Sequence, residues 1–103
     1  MKHIVALSLL GSTLLMSQAA FANTDLARQK NCMACHSMNS KVVGPSFKDI
    51  GKRYSGQNGA EDKLVQTIRK GSSGNWGAVP MPANAQVSEA EARTLVKWIL
   101  LQK

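Results

Sequence analysis

Residues 32–36 constrain the fold of this chain more than any other segment. Cys32 and Cys35 are separated by two residues, and His36 follows directly. This spacing is typical of a c-type haem attachment site. If the segment forms a helical turn, the two thiols and the imidazole share one face, because side chains at i, i+3 and i+4 are neighbours. Five residues could then supply two thioether bonds to the porphyrin vinyl groups and one axial ligand to the iron.

Other uses of the two cysteines are alternatives to this interpretation. A structural zinc site needs about four nitrogen or sulfur ligands, whereas the chain has two cysteines and two histidines, and His3 lies in a segment predicted to be removed. A thioredoxin-like redox pair is expected within a βαβ pattern, and no strand-like alternation lies nearby. Haem attachment is therefore the preferred interpretation, with a plain disulfide or a redox pair as the alternatives.

Residues 1–22 predict a cleaved secretory signal peptide. A short basic start precedes an apolar run over residues 4–16, and residues 20–22 form a small-x-small cleavage site. The apolar run is shorter than the roughly 20 residues that span a bilayer, so an uncleaved membrane anchor is the less favoured alternative. We therefore expect a periplasmic mature protein, not inserted in the membrane, with residues 23–103 as one domain.

The predicted mature chain is small and basic. Its 12 Lys and Arg residues outnumber its 6 Asp and Glu residues, which gives a net charge of +6. A domain of this size usually needs a covalent cross-link or a bound cofactor to stabilise its fold, and a haem bonded at two points would serve as both. Positive charge can attract nucleic acid or acidic proteins. Export argues against nucleic acid and favours acidic redox partners.

The spacing of apolar residues predicts an all-α domain. Apolar residues recur at helical intervals in several segments, and a Ser-x-x-Glu capping box precedes the last of them. The first predicted helix is capped by Asn23 or Thr24 and runs into Cys32, and the second has Phe47, Ile50 and Tyr54 on one face. The third is opened by Glu61 and Asp62 and closed by Gly71. The last predicted helix starts with the Ser88–Glu91 capping box.

Met81 is the candidate for a second axial ligand. Methionine opposite histidine is an axial pair that raises the potential of an electron-transfer haem. Met33 lies between the two attachment cysteines and would be held at the edge of the ring. Met38 is too close to His36 in the chain to reach the opposite face of the ring, whereas Met81 lies 45 residues beyond the histidine. Alternatively, each of these methionines could simply pack in the hydrophobic core.

The segment that carries Met81 is predicted to be a long, stiff loop. Residues 71–85 show no periodicity and are rich in glycine, serine and proline. Loops of this length inside a compact domain are usually functional or disordered, and the apolar residues in this one make disorder the weaker interpretation. Pro80 and Pro82 fix φ on both sides of the methionine.

Three further residues have both a binding role and a structural alternative. The Pro45 carbonyl could accept a hydrogen bond from the free ring nitrogen of His36, or the proline could simply form a turn. The Trp76 indole could donate to a haem propionate or only pack. Asn84 could donate to the Met81 sulfur or stabilise the turn.

Four stretches carry a family resemblance: CMACH, VVGPSFKDI, GSSGNWGAVPMPAN and LVKWILLQK. Together they resemble the small bacterial class I monohaem cytochromes c, of the group known as electron donors in denitrification and related respiration. The resemblance covers essentially the whole mature chain. It implies an all-α cytochrome c fold, with about four to five short helices around one covalently bound haem c. The implied site residues are Cys32 and Cys35 as thioethers, His36 and Met81 as axial ligands, and Pro45, Trp76 and Asn84 as hydrogen-bonding residues.

The resemblance also implies a function. It predicts a monomeric periplasmic one-electron carrier, not an enzyme, that cycles between Fe(II) and Fe(III). The implied partners are redox proteins: a haem nitrite reductase, a blue copper protein, a membrane cytochrome complex or a terminal oxidase. The alternatives are a five-coordinate haem enzyme or gas sensor and a disulfide-bonded binding module without haem. A distal histidine is excluded in the mature chain because His36 is its one histidine.

The chain departs from the family pattern at two positions. Thr67 stands where relatives often carry a basic residue able to contact a propionate, and Ala83 replaces a proline, which predicts a slightly looser loop. The haem edge is predicted to be rimmed by small or apolar residues, with lysines further out. The predicted rim residues are Met33, Val42, Val43, Pro80, Pro82 and Ala83, and the predicted lysines are Lys30, Lys41 and Lys48.

Overall fold

The chain folds into short helices joined by loops. The structure is a computed structural model that describes residues 23–103, so the predicted signal peptide lies outside the described residues. Its elements are α1 (residues 23–29), a 3₁₀ turn (Cys32–Ala34), α2 (Phe47–Tyr54), α3 (Ala60–Lys70) and α4 (Glu89–Leu100). Within these residues there are isolated β-bridges but no strand, which confirms the all-α prediction. None of the helices formed by residues 23–103 has the length and hydrophobicity that a bilayer span requires.

Local sequence signals set where the helices begin and end. The Ser46 hydroxyl caps α2 by accepting a hydrogen bond from the backbone N–H of Asp49 at 3.0 Å. The predicted capping box starts α4, because Ser88 and Glu91 each accept a bond from the other's backbone N–H. Such caps satisfy N–H groups that have no partner inside the helix. Gly71 ends α3 with φ of +80°, as predicted.

The first helix does not continue to Cys32, so that prediction is wrong. The helical segment ends at residue 29, and Asn31 adopts a left-handed backbone conformation with φ of 64° and ψ of 20°. Asparagine visits this region more readily than most residues because its short polar side chain can bond locally. The left-handed residue interrupts the helix and separates α1 from the turn that begins at Cys32.

Helix α4 is the central element of the described part. It packs against both α2 and α3, because its apolar residues face inward. Val65, Ala92, Leu95 and Val96 are almost completely buried, and Trp98 is buried against the Phe47 ring at a centroid distance of 5.2 Å. The remaining core residues are Ala27, Ile50, Tyr54, Ala60, Leu64, Ile68, Val87 and Ile99.

The chain end crosses α2 at a glycine. A Cβ on Gly51 would lie 2.7 Å from the carbonyl carbon of Gln102 and 2.8 Å from the carbonyl oxygen of Ile99, and would overlap the Gln102 oxygen. Glycine inside a helix costs about 1 kcal/mol relative to alanine. Here the absence of a side chain lets the C-terminal backbone pack directly on α2.

Candidate haem site

Residues 32–36 form a helical turn. The backbone N–H groups of Cys35 and His36 both donate to the Cys32 carbonyl, at 3.2 and 3.0 Å. The three side chains line one cavity. This is the arrangement that the i, i+3 and i+4 spacing predicts.

The state of the two thiols bears on the alternatives to haem attachment. Cys32 and Cys35 are half-buried and not bonded to each other. Burial raises the pKa of the Cys32 thiol, against a smaller opposite effect of a backbone hydrogen bond, whereas reactive cysteines have a lowered pKa. The described residues also contain no group of three or more His, Cys, Asp or Glu side chains that could hold a metal ion. Among the interpretations of the sequence, haem attachment fits these cysteines best.

The His36 ring is fixed on three sides. Its Nδ1 lies 2.7 Å from the Pro45 carbonyl oxygen, so with the proton on Nδ1 the ring donates there and leaves Nε2 available for a metal. The Phe47 ring stacks on the imidazole at a centroid distance of 5.2 Å. A Cβ on Gly44 would lie 2.7 Å from Cε1 and 3.0 Å from Nδ1. Only glycine at position 44 leaves room for the ring in this position.

Met81 is held by a contact between the two ends of its loop. Ser72 and Met81 exchange two backbone hydrogen bonds, of 3.0 and 2.8 Å. Gly71 lies against the same segment, since a Cβ there would be 2.7 Å from the Met81 carbonyl oxygen and 2.9 Å from the Ala83 nitrogen. The half-buried methionine lines the same cavity as His36.

The cavity between these residues has the character of a haem pocket. Its space, including the part that opens to solvent, is about 1280 Å³. The wall is mainly apolar, with contributions from α2, α3, α4 and the Met81 loop. Two thiols, an imidazole nitrogen and a thioether are donor groups that haem c uses for attachment and ligation. The residues present therefore fit the group.

The remaining predicted site residues contact protein groups. The Asn84 side-chain amide donates to the carbonyls of Ile68 at 3.1 Å and Pro82 at 3.3 Å, which are contacts that stabilise the turn. The Trp76 ring packs edge-on against Tyr54 at a centroid distance of 6.4 Å. Both residues line the cavity, so their predicted roles toward the haem stay predictions.

Thr67 also lines the cavity, and its hydroxyl is hydrogen-bonded within α3. Its hydroxyl donates to the Lys63 carbonyl one turn earlier in α3, at 3.1 Å. Thr67 therefore presents a short side chain that is bonded to its own helix.

Exposed apolar side chains surround the cavity mouth. Val43 and Val79 line the cavity, and 49% and 63% of their surfaces are exposed. Neighbouring Val42 is 55% exposed. Met33, also predicted at the rim, packs partly against the core.

The predicted lysines differ in their surroundings. Lys41 is exposed. Lys30 is half-buried, with its ammonium group 3.1 Å from the Glu91 carboxylate and 3.2 Å from the Gln86 carbonyl. Lys30 therefore joins α1 to the start of α4 rather than standing free at the surface.

Several residues that shape the site carry no predicted site role. Gly44 admits the imidazole, Ser72 closes the Met81 loop, and Arg53 reaches that loop from α2. The Gly-Pro pair at residues 44–45 marks a turn in the sequence, and only the fold shows that the glycine faces the His36 ring. No local signal identifies the other two, because each acts through a contact distant in sequence.

Comparison with known proteins gives similar chains of the same size. The family model for cytochrome c matches residues 22–103. Cytochrome c-551 of Pseudomonas aeruginosa is 49% identical over 105 residues, with 100% of both chains covered, and cytochrome c-552 of Nitrosomonas europaea is 48% identical over 92 residues, with 89% of each covered. The crystal structure of wild-type Nitrosomonas europaea cytochrome c552 superimposes with a TM-score of 0.76 at 49% identity, covering 78% of this chain and 99% of that one.

Proposed function

The chain belongs to the cytochrome c family and is a small electron carrier with one covalently attached haem c; from that premise we propose that it is a periplasmic one-electron shuttle whose iron is held by His36 and Met81. The bound haem supplies the Fe(II)/Fe(III) couple, and the chain supplies attachment, ligation and a mostly apolar environment. The observation that supports this most is that both proposed ligands and both cysteines line one cavity.

The Cys32–His36 turn would attach and orient the cofactor. Cys32 and Cys35 would form the two thioethers, and Nε2 of His36 would bind the iron. The 2.7 Å contact between Nδ1 and the Pro45 carbonyl supports this role, because metal-bound histidines usually donate their other ring N–H to an acceptor, which fixes the ring and raises its basicity.

Met81 would complete the coordination with its thioether. Its backbone is already held by the two hydrogen bonds with Ser72, and Pro80 and Pro82 limit the motion on either side. A ligand held in this way loses little conformational freedom when it binds. A methionine ligand would also raise the potential of the haem, as suits a carrier between respiratory donors and terminal acceptors.

The two other loop residues would support the ligand set. Asn84 holds the chain just after Met81 to α3 through its bond to the Ile68 carbonyl, and we propose that it also stays within reach of the methionine sulfur. Trp76 would present its indole N–H to a haem propionate while its ring packs on Tyr54.

Electron exchange would take place at the cavity mouth. The exposed Val42, Val43 and Val79 would offer apolar contact there, which suits brief contact with a redox partner, while exposed lysines such as Lys41 would guide the encounter. The proposed partners are acidic redox proteins: a haem nitrite reductase, a blue copper protein, a membrane cytochrome complex or a terminal oxidase. The carrier would act as a monomer in respiration, with denitrification as the favoured setting.

A five-coordinate haem enzyme is the competing function. Such an enzyme needs an open distal position and usually a polar distal pocket. The mainly apolar wall and the methionine that lines it favour the carrier. Export through cleavage after residue 22 is part of the proposal and can be checked by the mass of the mature chain.

Replacing Met81 tests the proposed ligation. Met81→Ala should keep the covalent haem but lose the Met–iron charge-transfer band of the ferric protein, lower the midpoint potential and admit small ligands such as cyanide. Met38→Leu is a matched control, since Met38 packs beside the core and leucine nearly conserves its volume, and it should leave the band unchanged. A Met81→Ala protein with the wild-type spectrum would show that another residue binds the iron.

A further inference from the structure

The loop that carries Met81 is held by hydrogen bonds near its ends and by contacts with α2 in its middle. We call residues 71–85 the ligand loop. Near its ends, Ser72 pairs with Met81, and the Asn84 backbone N–H donates to the Ile68 carbonyl at 3.0 Å. Among the described residues, one hydrogen bond reaches residues 73–80 from outside the loop, and it comes from Arg53 on α2.

Arg53 holds this middle part through two contacts at once. Its Nη1 donates to the Asn75 carbonyl at 2.7 Å. The centre of its guanidinium lies 4.4 Å from the Trp76 ring centroid and 5.5 Å from that of Tyr54. Both ring distances are within the roughly 6 Å reach of cation–π attraction. The guanidinium therefore lies between the ligand loop and the buried aromatic residue at the end of α2.

Two properties of Arg53 allow it to make both contacts: it has a planar guanidinium, and it forms no ion pair with a described residue. Arg69 and Arg93 pair with carboxylates of α3 and α4, whereas Arg53 forms no ion pair with a described residue. A planar guanidinium can stack on an aromatic ring and donate within its own plane at the same time. A lysine ammonium has no such plane, so it does not reproduce both contacts together.

We propose that Arg53 is a positioning residue for Met81. By holding Asn75 and Trp76 against α2, it keeps the ligand loop closed over the cavity and slows the release of the methionine from the iron. The inference rests on the proposed Met81 ligation. The inference does not require Arg53 to contact the haem or a partner protein.

The release of Met81 can be measured directly. When imidazole displaces the methionine from the ferric iron, the observed rate rises with imidazole concentration and then levels off at the rate of methionine release. Arg53→Gln should raise this limiting rate about fivefold, equivalent to about 1 kcal/mol. The Met–iron band should still be present at equilibrium, because the two loop ends remain fastened.

The chain offers a matched control for the lost charge. Lys52 is adjacent to Arg53 on α2 and is exposed, and its side chain makes no ion pair, hydrogen bond or ring contact with a described residue. Lys52→Gln removes the same charge and should change the limiting rate less than twofold. Arg53→Lys keeps the charge but loses the planar group, and should resemble Arg53→Gln more than wild type.

A double mutant tests whether Arg53 acts through the aromatic contact. In a Trp76→Leu background, Arg53→Gln should raise the limiting rate by clearly less than it does in the wild type, because one of its two contacts is already gone. Chemical denaturation of each variant shows whether a rate change accompanies global destabilisation. A fivefold rate change in a variant that is not globally destabilised supports the local role.

The outcomes separate this inference from the proposed ligation. If the wild-type ferric protein lacks the Met–iron band, the ligation and this inference both fail. If the band is present but Arg53→Gln releases the methionine at the wild-type rate, or no faster than Lys52→Gln, the inference alone is overturned. Equal effects of Arg53→Gln in the wild-type and Trp76→Leu backgrounds would also contradict it.

Discussion

Gly44→Ala is the substitution that most sharply tests how His36 is positioned. The added Cβ would lie 2.7 Å from the Cε1 atom of the imidazole, where ordinary contact begins at 3.4 Å. The ring would have to retreat by about 0.7 Å. It cannot simply rotate away, because Phe47 stacks on it and Nδ1 is bonded to the Pro45 carbonyl.

The size of the effect follows from this geometry. A movement of about 0.7 Å is enough to take a 2.7 Å hydrogen bond beyond the roughly 3.2 Å limit of good geometry. Overpacking of this kind costs about 1–3 kcal/mol in the free energy of unfolding, which lowers Tm by roughly 5–20 °C for a domain of this size.

The same movement should change the midpoint potential. A weaker bond from Nδ1 makes the imidazole less basic, which favours Fe(II) and raises the potential. If the two oxidation states differ in this bond by about 0.5–1 kcal/mol, the rise is roughly 20–45 mV, since about 1.4 kcal/mol corresponds to about 59 mV for one electron.

Thermal unfolding and a redox titration measure the two effects. Gly56→Ala is the control, because nothing lies within 4 Å of its added Cβ, although its φ of +80° makes alanine strained there. It should lower Tm without shifting the potential by more than a few millivolts. A Gly44→Ala protein with wild-type Tm and potential would refute the proposal that this glycine sets the ring position.

Three further predictions concern stability and docking. Gly51→Ala should lower the free energy of unfolding by about 3 kcal/mol or more, because its Cβ would meet C-terminal backbone atoms; a loss below about 1 kcal/mol in chemical denaturation would show that the chain end moves aside. Hydrogen bonds from the Ser88 backbone and from Lys30 lower the pKa of Glu91 in the folded protein, so its stabilising contribution is present above the ordinary glutamate pKa of about 4.3 and is lost as pH falls through the lowered value. Glu91→Gln should therefore be less stable than wild type at neutral pH and converge with it in acid, and a constant difference across a pH series of denaturation curves would contradict this. Val43→Glu should slow electron transfer to an acidic blue copper protein at all salt concentrations, whereas Lys41→Glu should slow it mainly at low salt, since the Debye length is about 10 Å at 0.1 M; stopped-flow rates equal to wild type for both at low salt would place the docking face elsewhere.

Much of the fold can be predicted from local signals in the sequence. The recurrence of Phe47, Ile50 and Tyr54 places α2, and the Ser88–Glu91 pair starts α4. These signals work because each depends on residues within one or two turns of each other. The turn at Cys32 follows for the same reason.

Features that depend on distant contacts could not be predicted in this way. The Ser72–Met81 pairing and the contact of Arg53 with Asn75 join residues that no local pattern relates. The end of α1 differs from the prediction because Asn31 adopts a left-handed conformation, which non-glycine residues adopt only rarely.

The candidate site likewise combines features that the local sequence predicts with features that depend on the fold. The donor types and their order are visible in the sequence because haem c attachment uses a fixed local spacing. The space around the His36 ring depends on Gly44, which faces it only in the folded chain. The surroundings of Trp76 and Asn84 likewise depend on α2 and α3, which the sequence alone does not place relative to the loop.

The central claim is that Met81 binds the iron of the covalently attached haem, and NMR of the reduced protein with labelled methionine methyl groups tests it most directly. A methyl group held over the porphyrin is shifted far upfield by the ring current, whereas the methyl groups of Met33 and Met38, which pack against the core, should show smaller shifts. The account predicts one strongly shifted methyl signal that is absent from the Met81→Ala protein. A spectrum without such a signal, or one whose shifted signal survives in Met81→Ala, would contradict it.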